Sequence, residues 1–174
     1  MAEQASQPDN KSFLSPLGFR FSIQRLPHVN YFCTAFSLPE ISMGQVDTIT
    51  NTFIKLPVPG DKLSFGQLNV RFRVDEDMKN YREIYDWLIG LGYPDNFDQR
   101  AAISRGLKSI GQVYSDGSVL ITTAQMNPNI EIKFIDMYPV SISSLEFNIE
   151  NSDIEYLQGE ATFAYRKYEL TTIQ

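Results

Sequence analysis

Cysteine and histidine are nearly absent: the 174 residues contain one of each, Cys33 and His28. A single cysteine excludes an internal disulfide and any multi-cysteine metal site. With only His28 to add, zinc binding is not expected, and nothing in the sequence calls for another metal or a cofactor. A hydrolytic triad needs a base beside a nucleophile. His28 lies in Leu26-Pro27-His28-Val29-Asn30, a turn-forming stretch, and Cys33 stands mid-strand between Phe32 and Thr34, where a packed thiol is the default. The acidic pairs Glu76/Asp77 and Asp153/Glu155 are accounted for by a helix start and a turn. No catalytic residue and no enzymatic activity is expected. Basic residues are also scarce, 15 Lys and Arg against 21 Asp and Glu, for a formal net charge of −6. That argues against a protein that grips nucleic acid along a basic surface. It suits a surface past which nucleic acid slides without sticking. No apolar run approaches the ~20 residues of a membrane span, so no membrane contact is expected. The opening residues have neither a basic start nor an apolar core, unlike a signal peptide. Residues 1–12 are read as a polar N-terminal arm and 13–174 as one domain.

What the sequence does have is strand-forming residues. Hydrophobic residues make up 43% of the chain, with twelve Phe and nine Tyr, and aromatics favour strands. A chain of this length can bury roughly 70% of its unfolded surface. The organising stretch is LSFGQLNVRFRVDEDMKNYREIYDWLIGL, Leu63 to Leu91. Leu68, Val70, Phe72 and Val74 alternate with polar residues, which predicts a strand with one buried face. The period then turns helical. Tyr81, Ile84, Tyr85 and Leu88 form an apolar stripe, continued by Leu91, on a helix over Met78–Leu91. Asp75 or Asp77 is placed to cap its start, and Gly92 with Pro94 stops it. Trp87 falls beside the stripe.

Elsewhere the pattern predicts a strand over Phe19–Ile23, a turn at Leu26–Asn30 and a second strand over Tyr31–Leu38, the two forming a hairpin. Ile41–Leu56 reads as a protruding hairpin turning at Thr48–Asn51. Its apolar residues Ile41, Met43, Val46, Ile49, Phe53 and Ile54 lack a regular period and suit contact with a partner; an ordinary hairpin of the domain's own sheet is the alternative. Pro57, Pro59 and Gly60-Asp61 read as a turn, since the segment lacks the lysine–hydroxyl ending of a phosphate loop. A short helix is expected within Gln99–Lys108 and a turn at Ser115–Ser118. A strand follows from Val119 to about Gln125. A tight turn at Asn127-Pro128-Asn129 leads into a strand carrying Ile130, Ile132 and Phe134 that breaks at Tyr138-Pro139. After a turn at Asn151–Asp153, one long strand runs Tyr156–Leu170. The expected fold is mainly β: a β-sandwich or barrel-like domain of seven or eight strands with one flanking α-helix.

Three stretches, in order, resemble the tail tube protein family of contractile-tailed bacteriophages. The first is Phe32-Cys33-Thr34-Ala35 followed by Leu38-Pro39. The second is Pro59-Gly60-Asp61-Lys62-Leu63-Ser64-Phe65, then Leu68–Phe72, Asp75-Glu76-Asp77, Tyr81-Arg82 and Tyr85-Asp86-Trp87. The third is Tyr138–Ile142, Leu145, Ala161–Tyr165 and Tyr168-Glu169. The resemblance implies a structural virion protein whose strands join neighbours in a ring-shaped oligomer. It implies hexameric rings stacked into a tail tube around a channel for genome delivery. Partners would be further copies of the chain, the tail sheath, baseplate or neck proteins, and phage DNA in transit without specific binding. Assembly would take place in the host cytoplasm and the product would be part of the virion. Residues Ile41, Met43, Val46, Ile49, Phe53 and Ile54 would form the inter-ring interface. Glu131, Lys133, Glu160 and Thr162, on polar strand faces, would line the channel. Alternatives in the same fold are a tube-end ring, such as a baseplate tube initiator or tail terminator, and a secretion-system needle ring. From a different class, a monomeric β-sandwich binding module also fits the composition.

Overall fold

Leu68, Val70 and Phe72 are fully buried while Asn69, Arg71 and Arg73 face outward, so the strict alternation of β5 (Leu68–Arg73) becomes a wall of the core. In the computed structural model the described residues are 12–49, 55–92, 113–148 and 156–173. The chain runs β1 (Phe19–Ile23), α1 (Pro27–Phe32), β2 (Cys33–Ser37), β3 (Ile41–Ile49), β4 (Lys55–Phe65), β5, α2 (Lys79–Gly92), β6 (Ser115–Thr122), β7 (Pro128–Ile142), β8 (Gln158–Ala164) and β9 (Lys167–Thr172). It is mainly β, as expected, with two helices among the described residues.

Seven strands form one sheet in the order β1-β6-β7-β8-β5-β2, with β9 beside β7; β3 and β4 form a separate two-stranded sheet. The long sheet rolls up without closing. Its two end strands meet through side chains, Phe19 of β1 against Phe36 of β2 with ring centroids 5.1 Å apart. Phe21, Val119, Phe134, Phe163 and Phe72 fill the interior from five strands. At one point the packing leaves no room for a side chain: a Cβ at Gly159 would lie 2.8 Å from the Phe72 ring.

The first two strands do not form a hairpin. β1 pairs with β6 and β2 with β5, both antiparallel. The Leu26–Asn30 turn is instead the start of α1, with Pro27 in its first turn, a position where the missing N–H costs nothing. Asn30 fixes the corner: its Oδ1 accepts from the Ile23 N–H at 2.7 Å and its Nδ2 donates to the Ile23 carbonyl at 2.9 Å. The expected turn at Ser115–Ser118 is the first half of β6. The tight turn sits earlier than Asn127–Asn129, over Thr123–Asn127, with Met126 at φ 63°.

β7 explains the roll of the sheet. The chain was expected to break at Tyr138-Pro139, but it continues as one 15-residue strand. Its first part pairs with β6 and β9, and Tyr138–Ile142 pairs with β8. The change of partner occurs at a bulge where Asp136 takes φ 56°. Asp tolerates this left-handed conformation better than most residues. The Asp136 N–H donates to Asp116 Oδ1 at 3.2 Å, and its carboxylate meets Arg166 Nε at 3.1 Å. Arg166 lies where the predicted Tyr156–Leu170 strand is in fact divided, β8 ending at Ala164 and β9 starting at Lys167. Asp136→Val should therefore cost about 1–3 kcal/mol, because a β-branched residue is strained at this φ, whereas Asp136→Gly should cost much less. Urea unfolding of the two variants checks this.

α2 matches its predicted bounds to within a residue, but its buried face is rotated. Asn80, Ile84, Trp87 and Gly90 are buried. Tyr81, Leu88 and Leu91 pack partly against the core, and Tyr85 is half exposed. The core face thus runs through Trp87 rather than Tyr85. Asn80 is the reason hydrophobicity alone misplaces it: its Nδ2 donates to the Arg73 carbonyl at 2.7 Å, and its Oδ1 accepts from the N–H groups of Tyr81 at 2.8 Å and Asp75 at 3.3 Å. One buried amide ties β5 to the helix and satisfies groups at its start, the task assigned in the sequence to Asp75 or Asp77. Asp77 instead pairs with Lys79 in solvent. The expected helix at Gln99–Lys108, the turn at Asn151–Asp153 and residues 1–11 of the N-terminal arm lie outside the described residues.

Candidate functional site

In the segment where a hairpin was expected over Ile41–Leu56, strands β3 and β4 pair antiparallel from Ile41↔Phe65 to Ile49↔Lys55. Pro57, Pro59 and Gly60-Asp61, read from sequence as a turn, lie within β4. Residues 41–48 and 55–59 are all exposed. Ile41, Met43 and Val46 expose 50%, 55% and 62% of their surface, and Leu56, Val58 and Leu63 are comparably open. Phe53 and Ile54 lie outside the described residues, as does the side chain of Ile49. The apolar residues pair across the ladder: Met43 with Leu63, then Val46 with Val58. Directly opposite residues share a face, so the outer hairpin shows Val46, Val58 and Leu56 on one side and Asp47, Pro57, Gln45 and Pro59 on the other.

The hairpin is fixed at its root. The Gly66 N–H donates to the Glu40 carbonyl at 3.0 Å. Phe65 enters an aromatic cluster, its ring 6.2 Å from Tyr165 and 5.7 Å from Tyr168, with Phe134 5.1 Å from Tyr165. Tyr168 Oη donates to the Pro39 carbonyl at 3.3 Å. Burial pushes the Tyr165 hydroxyl up to about 12. Above the root the ladder slips between Met43 and Gln45. There the backbones nearly touch, since a Cβ on Gly60 would lie 2.5 Å from the Gly44 carbonyl oxygen. Sequence reasoning found the β3 arm but missed β4, because its two prolines and Gly60-Asp61 carry strong turn signals. The recurring apolar residues Leu56, Val58 and Leu63 were the available clue.

The second candidate surface is the outward face of the rolled sheet. Glu131 and Lys133 on β7 alternate with buried Ile132 and Phe134; Glu160 and Thr162 on β8 alternate with buried Ala161 and Phe163. The two pairs stand on different stretches of the roll. Glu131 and Lys133 lie opposite Leu120 and Ser118 of β6 and Thr171 and Glu169 of β9. Glu160 and Thr162 lie opposite Arg71 and Asn69 of β5. The Glu160 carboxylate meets Arg71 Nε at 3.3 Å, and the Thr162 hydroxyl donates to Asn69 Oδ1 at 3.1 Å. Exposed pairs of this kind contribute about 0–1 kcal/mol; they keep the face polar with its charges matched.

Cys33 and His28 make separate contacts, the Cys33 thiol donating to the Ala35 carbonyl at 3.8 Å. His28 Nδ1 meets Glu83 Oε1 at 2.5 Å, joining α1 to α2. Cys33 packs at the edge of the core, and burial pushes its thiol from 9.0 up to about 11. A raised thiol pKa lowers the thiolate fraction, and the greater nucleophilicity of that thiolate recovers only part of the loss. Alkylation at pH 8 should be at least roughly tenfold slower in the folded chain than in urea. The protonated thiol fits the fold best. Its contribution to stability is therefore complete below pH 9 and fades as pH rises towards 11. Timed labelling with iodoacetamide, followed by mass spectrometry, measures the first effect.

Among the described residues no group of three His, Cys, Asp or Glu side chains could hold a metal ion, and no helix is long and apolar enough to cross a membrane. The apolar hairpin and the polar outer sheet face are the two surfaces that the sequence reading singled out.

Solved structures share this fold. A chain of the anti-feeding prophage cap, described as its tube-terminating cap, matches with a TM-score of 0.66 at 14% identity, over 99% of this chain and 100% of that one. A chain of the sheath–tube complex of an extracellular contractile injection system matches at 0.63 and 13% identity, over 94% of each chain. A chain of that system's sheath/tube terminator matches at 0.62 and 15% identity, over 93% of this chain and 99% of that one. None of the curated proteins matches by sequence. The model of the phage tail tube protein family matches residues 6–171; with that match spanning nearly its whole length, the chain belongs to the phage tail tube protein family.

Proposed function

We propose that the chain forms hexameric rings that stack into the tube of a contractile tail, and that phage DNA passes through the common channel without specific binding. The observation that carries this reading is the β3–β4 hairpin. It is a separate two-stranded sheet with apolar side chains open to water. Two strands alone are marginally stable, and a patch of this kind fits a contact with another copy. Ile41, Met43, Val46, Ile49, Phe53 and Ile54 supply the contact between rings. The net charge of −6 suits a channel that does not hold DNA, because like charges do not adhere. Glu131, Lys133, Glu160 and Thr162 line that channel. Sheath subunits surround the tube, and baseplate or neck proteins close its ends. The protein has no catalytic role: its function is the shape and surface of the tube.

Negative-stain images of the purified protein test the proposal, with long tubes of uniform width as the expected result. A compact monomer at all concentrations would overturn it. A tube-end ring is the second reading, supported by the cap and terminator chains that share the fold at TM-scores of 0.66 and 0.62. Rings that close but never stack would favour it.

A further inference from the structure

The net charge of −6 is unevenly placed. Carboxylates gather at α2 and its approach, in Glu76, Asp77, Glu83 and Asp86, and α2 packs on the inward side of β8, Trp87 against Phe163. The outward side of the same sheet is different. β5 and β8 together carry Arg71 and Arg73 against one carboxylate, Glu160. β9 carries Lys167 and one carboxylate, Glu169, with Lys133 of β7 directly opposite Glu169. Exposed charges more than about 8–10 Å apart are screened at ordinary salt. A phosphate that touches this face therefore answers to the groups on it rather than to the charge of the whole chain.

Those groups are paired within the chain. Arg71 Nε meets the Glu160 carboxylate at 3.3 Å across the β5–β8 ladder. Arg73 lies over the Tyr156 ring at 5.4 Å, a contact that leaves its charge in place. Lys167 Nζ meets Glu169 at 2.5 Å, so that one carboxylate serves two lysines. The hydrogen bond and charge of Lys167 hold the Glu169 carboxyl below its usual range, with Lys133 and Arg166 adding to the effect. Such exposed pairs contribute little to folding. Their cations stay within reach of solvent: 61% of the Arg71 side chain and 46% of that of Lys167 are exposed. Freed of their carboxylates, both are ready phosphate ligands.

We propose that Glu160 and Glu169 set the affinity of this face for nucleic acid, each occupying cations of its own chain that would otherwise take up phosphates. This rests on the channel reading above and moves its physical cause from the overall charge to two local carboxylates. Neutralising them turns the face into a polyanion-binding surface. Identical subunits repeat the freed cations along a channel, so a modest gain per subunit multiplies.

Anisotropy of a short fluorescent DNA duplex at low salt, titrated with the full chain as free subunit, tests this. The unaltered chain should bind weakly. Glu160→Gln combined with Glu169→Gln should bind at least roughly tenfold tighter, and the slope of log affinity against log salt should steepen by about 2–3, the effect of two or three added phosphate contacts. Adding Arg71→Gln to Glu160→Gln should return that variant to the affinity of the unaltered chain. Asp61→Asn combined with Glu76→Gln makes the same change in net charge at exposed residues of β4 and the α2 approach, and should change binding far less. An equal gain from that pair would mean that overall charge governs, and would overturn the proposal. So would a Glu160/Glu169 variant that binds no tighter than the unaltered chain, or a Glu160→Gln gain that survives Arg71→Gln. Each single variant should show part of the gain, which decides the matter even if the combined variant fails to fold. Tube formation is read separately by sedimentation. If the unaltered chain never assembles, the channel reading falls, and the anisotropy still decides what the two carboxylates do.

Discussion

Trp87→Ala is expected to destabilise the subunit by about 3–5 kcal/mol, the range for removing a large aromatic side chain from a packed core. Trp87 exposes 2% of its surface and is among the largest buried side chains. Its ring lies 6.5 Å from that of Phe163 on β8. The Arg25 guanidinium sits 4.8 Å above it, and burial lowers the pKa of that group. The indole Nε1 donates to the Val113 carbonyl at 3.1 Å. Truncation would thus open a cavity between helix and sheet, remove a cation–π contact and leave a carbonyl without its donor. Tyr85→Ala, on the same helix two residues earlier, should change stability by less than about 0.5 kcal/mol, since that side chain is 50% exposed. Leu88→Ala, at a partly buried position, should fall between the two. Denaturant unfolding of the three variants gives the order directly. A Tyr85 effect equal to that of Trp87 would mean that the helix packs through the stripe its hydrophobicity suggests.

That rotated stripe shows what the sequence could and could not convey. Periodicity located β5 and α2 to within a residue or two, because each alternation has one physical cause, a single buried face. It misjudged which helix face is inward, since the inward face begins at Asn80, a polar residue buried for its hydrogen bonds. Partner choice was not legible at all. The alternation in β1 and β2 is compatible with pairing to each other, yet they stand at opposite ends of the sheet order. Long strands were also misread where backbone geometry changes without a change of pattern. Pro139 is buried inside β7, next to an irregular register at Pro139/Ser141. The division at Tyr165-Arg166 leaves the polar–apolar alternation on either side looking continuous. Of the candidate assembly surfaces, β3 was visible through its exposed apolar residues and β4 was hidden behind its prolines.

Removal of the outer hairpin should separate folding from assembly. Replacing residues 45–59 by a short Asn-Gly turn, so that Gly44 and Gly60 are joined, keeps the root pairs Ile41↔Phe65 and Met43↔Leu63. It also keeps Phe65 in its cluster with Tyr165 and Tyr168. Residues 45–48 and 55–59 are all exposed, so the melting temperature of the isolated subunit should stay within a few degrees. Stacking should suffer far more. Burying an apolar side chain contributes about 1.5–3 kcal/mol. Val46, Leu56 and Val58 together could therefore contribute about 5–9 kcal/mol before the cost of ordering the strands. A net loss near 5 kcal/mol corresponds to roughly three to four orders of magnitude in the association constant between rings. Sedimentation velocity should then show rings or free subunits at concentrations where the unaltered chain forms tubes. Circular dichroism should show the β signal retained. Tubes of normal length from the shortened chain would remove the hairpin from the stacking interface. A loss of the β signal would mean that the hairpin belongs to the fold of the subunit itself rather than to the contact between copies.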